Sequence, residues 1–127
     1  MTAMPPLFEE RTREARIVLA VVVPLLFGAV AGIFLGISAG VYWAIAALAA
    51  IGGVLAGLEH PDPAGGARRV FLGGALFGLG ILVAHAIAGT DAKVSLGDFP
   101  PLLILIDAVI GAILGAVGGA LSRARRA

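Results

Sequence analysis

An uncharged segment of 42 residues, Ile17 to Leu58, constrains this chain more than any other feature of its sequence. It contains no acidic or basic side chain and no histidine. Because about 20 apolar residues in a helix cross the hydrocarbon core of a bilayer, the segment is long enough for two crossings. Two further apolar runs follow: Val70 to Thr90, interrupted by His85, and Phe99 to Ser122, interrupted by Asp107. The sequence therefore predicts four membrane-spanning helices.

The composition supports this interpretation. Only 13% of the 127 residues are charged, 60% are hydrophobic, and the mean hydropathy is +1.06. A soluble domain carries about 25% charged residues, so a separate soluble domain is not expected. The net charge of +1 gives no reason to expect a nucleic-acid partner. The absence of cysteine excludes disulfides and thiolate chemistry.

We expect an all-α polytopic membrane protein with helices over residues 17–38, 41–58, 70–90 and 101–121. These helices would form one compact antiparallel bundle and a single domain over residues 1–127, preceded by a short cytoplasmic segment, 1–16. The first apolar run is too long for the hydrophobic region of a signal peptide, so we expect it to be retained. Pro24 should kink the first helix or loosen its hydrogen bonding.

The basic residues predict the orientation of these helices. Eight arginines lie before the first helix, between the second and third, or after the fourth, whereas the other two loops contain only Lys93. The positive-inside rule then places both termini in the cytoplasm and the protein in the plasma (inner) membrane. The excess of arginine over lysine hints at a GC-rich bacterial genome. The basic residues expected to contact anionic lipid headgroups are Arg68, Arg69, Arg123, Arg125 and Arg126.

The chain contains 19 glycines, and many recur at four-residue spacing. Small residues at this spacing let membrane helices approach closely, which supplies much of their attraction. The helix-packing positions predicted in this way are Gly28, Gly32, Gly36, Gly74, Gly78, Gly111, Gly115 and Gly119. Four such faces exceed the needs of one compact bundle, which favours either a very tightly packed monomer or an association with itself or with a larger membrane partner. A GC-rich genome could also enrich glycine and alanine without selection for packing.

His85 and Asp107 are the polar residues that interrupt the third and fourth apolar runs. Both follow the small-residue face of their helix, and both should lie close to its outer end. We therefore expect them to face each other in direct or one-water contact, because an unpaired carboxylate in the membrane is costly. The pair could be a protonatable site or a hydrogen bond that fixes helix register. If the two lie apart, Lys93 is the next candidate partner of Asp107.

Other chemical signals are weak. The segment Glu59-His60-Pro61-Asp62 resembles a metal-ligand cluster, but without further ligands nearby in sequence it fits a solvated helix terminus better. No nucleophile motif, phosphate-binding loop or metalloprotease motif occurs, so we expect no catalysis, no metal and no cofactor.

The sequence leaves two functional hypotheses. The first is a small membrane protein that acts through helix–helix association, either with itself or as an accessory subunit of a larger complex. The alternative is a proton-coupled transporter of small solutes, or an oligomeric channel, that uses His85 and Asp107.

Overall fold

The computed structural model, which describes residues 6–126, contains four long helices. They are α1 (Arg13–Leu35), α2 (Ala39–Gly57), α3 (Pro63–Ala88) and α4 (Leu102–Arg126). Each is long and apolar enough to cross a membrane, which confirms the prediction of an all-α chain with four candidate spans. A short 3₁₀ turn, Phe8–Glu10, precedes α1.

Three helix termini lie several residues outside the apolar runs, so the predicted bounds were wrong there. Helix α1 begins at Arg13 because the hydroxyl of Thr12 accepts a hydrogen bond from the backbone N–H of Ala15 (3.2 Å). Helix α3 begins at Pro63, seven residues before the predicted start, and its N-terminus is capped by Asp62. Helix α4 continues to Arg126. Hydropathy marks the part of a helix that suits lipid, whereas capping residues mark where the helix begins.

Helix α1 is irregular near Pro24, as the sequence predicts. Residues Val18–Val22 form a π-helical turn, in which the backbone N–H of Val23 donates to the carbonyl of Val18. Pro24 lacks an N–H, so the ladder cannot continue regularly at this point. Turns of this kind in membrane helices are tolerated where neighbouring elements or cavities accommodate them.

Helix α3 packs closely on both α1 and α4 through glycines. Gly74 lies against the backbone of Asp107 and Gly115 against that of Gly66, so a Cβ at either glycine would overlap a carbonyl group. As positions ascend along α3, their contacts descend along α4. Glycines in backbone contact with a neighbouring helix include Gly28, Gly32, Gly57, Gly66, Gly74, Gly78, Gly111, Gly115, Gly118 and Gly119. Gly36 differs, because it faces the side chain of Thr90.

The segment over residues 89–101, which we call the covering segment, folds over one end of the bundle. Gly89 ends α3 in the left-handed conformation (φ +66°). The backbone N–H of Lys93 then donates to the carbonyl of Leu35 (2.7 Å). Val94 and Leu96 pack against a buried cluster formed by Ala31, Leu35, Tyr42 and Ile81. We call this end of the molecule the loop end, and the opposite end, where Glu59 follows the end of α2, the Glu59 end.

Large apolar side chains cover the outer surface of all four helices. Leu26, Ile51, Ile87 and Ile113 are each more than half exposed, one on each helix. In water such a surface would be unfavourable, whereas in a bilayer it is solvated by lipid. The four spans and this surface indicate a multi-pass membrane protein.

Candidate functional site: a cavity beside α2

A cavity of about 510 Å³ lies between α2 and the other three helices. Its volume falls in the range of small-molecule binding sites, about 300–1,000 Å³. Its lining is mostly apolar, and the polar or ionisable residues along it are Tyr42, Glu59, Arg69 and Asp107. The lining follows α2 from Tyr42 to Ala56, about 21 Å along a helix, and continues to Glu59 just past the end of α2. The cavity therefore extends through most of the thickness of a hydrocarbon core.

The cavity opens sideways toward lipid and is closed more fully at its two ends. Phe27, Trp43 and Ile106 line it and are 40%, 57% and 46% exposed, so the neighbouring helices do not enclose the cavity at these positions. At the loop end it is bounded by Tyr42, which is 4% exposed and packs among the apolar residues of the covering segment. An apolar solute could enter from the bilayer without crossing the polar ends of the helices.

The irregular part of α1 forms one wall of this cavity. Leu19 and Ala20, within the π-helical turn, line it together with Pro24. On the opposite wall, α2 contributes small side chains, among them Ala46 and Ala49. The open space therefore lies where an irregular helix faces a helix of small residues.

Asp107 is the one acidic residue in the middle of the lining of this cavity. Its backbone carbonyl packs against Gly74, and its Oδ2 atom lies beside Gly78, where the absence of a side chain leaves room for it. Oδ2 is buried and has no hydrogen-bond partner among residues 6–126. Tyr42 lines the same cavity from α2 and lies within electrostatic range of the carboxyl group. A buried acceptor without a partner is costly, so this oxygen is suited to bind a proton or a ligand.

The structure does not bring His85 to Asp107, which corrects the expected pair. These two described residues form neither a hydrogen bond nor an ion pair, and the buried Nδ1 atom of His85 has no partner within the described chain. Asp107 lies beside Gly74 and Gly78, and His85 is seven residues further along α3 than Gly78, about 10 Å. Asp107 and His85 were expected to lie at the same depth, and this expectation is wrong. Ile104, near the start of α4, faces Gly78, so the part of α3 that carries His85 extends beyond the start of α4.

Lys93 does not replace His85 as the partner of Asp107. Its side chain is exposed on the covering segment, and no ion pair joins these two residues in the described chain. Asp107 is therefore without a cationic partner among residues 6–126.

At the Glu59 end, one buried carboxylate binds two arginines. Glu59 is 9% exposed, and its Oε2 accepts a hydrogen bond from Arg11 at 2.7 Å, while its Oε1 accepts from Arg69. Arg69 also donates to the carbonyl of Ala56 (3.3 Å) and lies 4.2 Å from the centre of the Phe8 ring. We call Phe8, Arg11, Glu59, His60 and Arg69 the Glu59 cluster.

The Glu59 cluster corrects two expectations from the sequence. Glu59 is not part of a solvated helix terminus, because its charge is neutralised by arginines that lie 48 residues before it and 10 residues after it. Arg69 is not a headgroup contact, because its side chain is only 9% exposed. The cluster could not be predicted because its members lie far apart in sequence. The one available signal was a single acidic residue next to the end of an apolar helix.

His60 stacks on Phe8, with ring centres 5.5 Å apart and an interplanar angle of 25°. Burial, and then the nearby charge of Arg69, lower the pKa of His60 below its ordinary value. The neutral imidazole is therefore the form that suits the folded cluster.

The remaining predicted headgroup contacts divide into two groups. Arg126 donates to the hydroxyl of the buried Ser122 (2.8 Å) and to the carbonyl of Leu58 (3.4 Å), so its side chain caps the Glu59 end instead. Arg68, Arg123 and Arg125 are exposed, and their contact with lipid stays a prediction. Within residues 6–126, no group of three or more His, Cys, Asp or Glu side chains is arranged to hold a metal ion.

Comparisons of the chain with protein-family models, with curated proteins and with solved structures found no match. The geometry of the cavity is therefore the basis for assigning a function.

Proposed function

We propose that this protein is a small membrane transporter, which moves an apolar or amphipathic solute through the cavity and couples that movement to a proton on Asp107. The observation that carries this proposal is Asp107, a carboxyl-bearing residue that lines a mostly apolar cavity of about 510 Å³ and whose buried Oδ2 has no hydrogen-bond partner among residues 6–126. No covalent chemistry is required of the protein. The sequence suggested that a pair of His85 and Asp107 binds the proton; in this proposal Asp107 binds it alone.

The coupling follows from the cost of charge in a membrane. An ionised carboxylate at this position needs a counter-charge, and residues 6–126 supply none beside it. Protonation removes the cost when the cavity is empty, and a suitable solute can remove it when the cavity is occupied. Proton uptake and solute binding are then linked at one group.

Such a cycle needs a closure at each end of the cavity that can open in turn. The Glu59–Arg69 ion pair lies at one end of the cavity, and Tyr42 with its apolar neighbours lies at the other. The π-helical turn and Pro24 give α1 an irregular segment on the cavity wall, where a change in helix direction would alter access.

The proposed orientation has antiparallel helices with both termini in the cytoplasm of a bacterial inner membrane. It is supported by eight arginines on one side against a single lysine, and by the descending contacts between α3 and α4. The chain has no native cysteine, so Ser95→Cys introduces a single labelling site on the covering segment. In intact cells this site should react with a membrane-impermeant maleimide, while Thr12→Cys should react only after lysis.

Association with a second chain is the less supported function. The predicted packing glycines that suggested it, from Gly28 to Gly119, contact other parts of this same chain. Homo-oligomerisation or a larger membrane partner would need a different surface.

The test of the transport proposal is a flux assay in proteoliposomes that contain a pH-sensitive dye. With a proton gradient imposed, a panel of apolar and amphipathic solutes should include members that dissipate it, and Asp107→Asn should abolish their effect. Ala49→Phe should also block flux, because this side chain lines the cavity. Ala47→Phe is the matched control, because residue 47 lies on the exposed face of the same helix. Equal flux from all four proteins, or from empty liposomes, would contradict the proposal.

A further inference from the structure

We infer that the solute is a lipophilic cation, with the carboxylate of Asp107 as its counter-ion and aromatic side chains of the cavity as its wall. The inference rests on the proposed function and adds the chemical class of the ligand. It depends on the charges that face the cavity, on the character of its walls and on its access from lipid.

Two ionisable groups along the cavity differ in their partners: the carboxyl group of Asp107 has no counter-charge among the described residues, whereas the guanidinium of Arg69 has one. Asp107 has no cationic partner in the described part of the chain, whereas Arg69 is held by Glu59 and by the carbonyl of Ala56. An anionic ligand would have to break a buried ion pair to reach Arg69. A cationic ligand would instead supply the counter-charge that Asp107 lacks.

The other groups around Asp107 do not compete for this role. From α3 the contacts are Gly74, Gly78 and backbone atoms, and from α2 the nearest ionisable group is Tyr42. Helix α1 carries no charged residue between Arg16 and Leu35. A neutral phenol can donate a hydrogen bond to the carboxylate, but it does not neutralise its charge.

The walls suit a large, weakly hydrated cation better than a small ion. Phe27, Tyr42, Trp43 and Phe77 all line the cavity, and Tyr42 and Trp43 meet edge to face with ring centres 5.3 Å apart. Aromatic faces attract cations, and the attraction grows when water is excluded. The lateral openings toward lipid give access to cations that already partition into membranes.

Binding of such a cation replaces the proton on Asp107, so the net charge in the cavity does not change. If Asp107 is protonated when the cavity is empty, its O–H bond breaks as the cation arrives, and the proton passes to water. The carboxylate and the cation then form the neutral pair. One proton is released for each cation bound, and binding weakens as the pH falls.

The test uses three probes of similar size: tetraphenylphosphonium, tetraphenylborate and neutral triphenylphosphine oxide. Calorimetric titration of the full-length protein in detergent should show binding of the phosphonium at least about tenfold tighter than that of the other two. In weakly buffered solution, a pH indicator should record proton release on binding. Asp107→Asn should weaken phosphonium binding at least about tenfold and abolish the release, with little change for the phosphine oxide.

Asp98→Asn, in the exposed covering segment, is the matched control and should behave as the wild type. Circular dichroism of each variant establishes that it is folded. If the borate or the phosphine oxide bound as tightly as the phosphonium, or if Asp107→Asn left phosphonium binding unchanged, the cation assignment would be overturned. The transport proposal would survive that result if proton-coupled flux of neutral solutes still required Asp107. Failure of all three probes to bind would also overturn the cation assignment.

Discussion

The two sides of this bundle use the same small residues to opposite effect. Where α3 meets α1 and α4, glycines bring backbones into direct contact, as at Gly74 and Gly115. Along α2, a Cβ at Gly52 would meet nothing within 4 Å, and Ala46 and Ala49 line the cavity. Small residues therefore produce close packing only where the backbone of a facing helix approaches them, as it does at Gly57 near the end of α2. Where they face an irregular helix, they produce a cavity.

The largest effect should come from filling a contact on the close-packed side. In Gly115→Leu the new side chain would overlap the backbone of Gly66, and the helices would have to separate. We expect a loss of about 3 kcal/mol or more in unfolding free energy. Gly52→Leu, which meets nothing within 4 Å, should cost no more than the usual effect of a surface substitution. Thermal unfolding followed by circular dichroism in detergent measures both.

The same comparison separates packing within the chain from association between chains. Gly32→Leu would collide with the backbone of Ile81, so it should unfold the single chain. Native mass spectrometry should then show loss of folded protein. A folded monomer released from a larger wild-type assembly would instead indicate that Gly32 lies at an interface between chains.

The next effect concerns the Glu59 cluster. Glu59→Gln would leave Arg69 and Arg11 without their shared counter-charge, and removal of one partner of a buried ion pair costs about 3–5 kcal/mol. We expect the lower end of this range, because the side chain of Arg11 is 26% exposed. Glu14→Gln, on the exposed start of α1, is the control and should be near neutral. An equal and small effect of both substitutions in chemical unfolding would show that the cluster does not stabilise the fold.

A third measurement tests the cavity directly. Since the chain has no native cysteine, single cysteines report access without background labelling. Ala49→Cys should react readily with a small, membrane-permeant maleimide. Ala108→Cys should react at least about tenfold more slowly, because residue 108 is 2% exposed and packs against Gly74. Similar rates at the two positions would mean that α2 is no more loosely packed than α3 and α4.

These comparisons also indicate what the sequence could predict. Long apolar runs were sufficient to place four helices, and glycine spacing identified positions that do lie in backbone contact, such as Gly28 and Gly111. The relative depth of Asp107 and His85 could not be derived, because it depends on how the covering segment lets α3 extend past α4. The Glu59 cluster could not be predicted either, because Arg11, Glu59 and Arg69 lie far apart in the sequence. The position of a charged group along its own helix does not specify what faces it.

The smallest expected effect is a pH dependence from His60 at the Glu59 end. Burial and the charge of Arg69 lower the pKa of His60 in the folded protein, so near pH 6 the unfolded chain binds more protons than the folded one. The stabilisation is complete above the unfolded value of about 6.5 and is lost as the pH falls through the lowered pKa. His60→Phe can keep the stacking on Phe8 but cannot titrate, so its unfolding temperature should change less than that of the wild type between pH 8 and pH 5. His60→Gln should show the same reduced pH dependence with lower overall stability, because it loses the stacking as well. If both variants kept the wild-type pH dependence, the titrating group would lie elsewhere, and the neutral imidazole would not be a requirement of the Glu59 cluster.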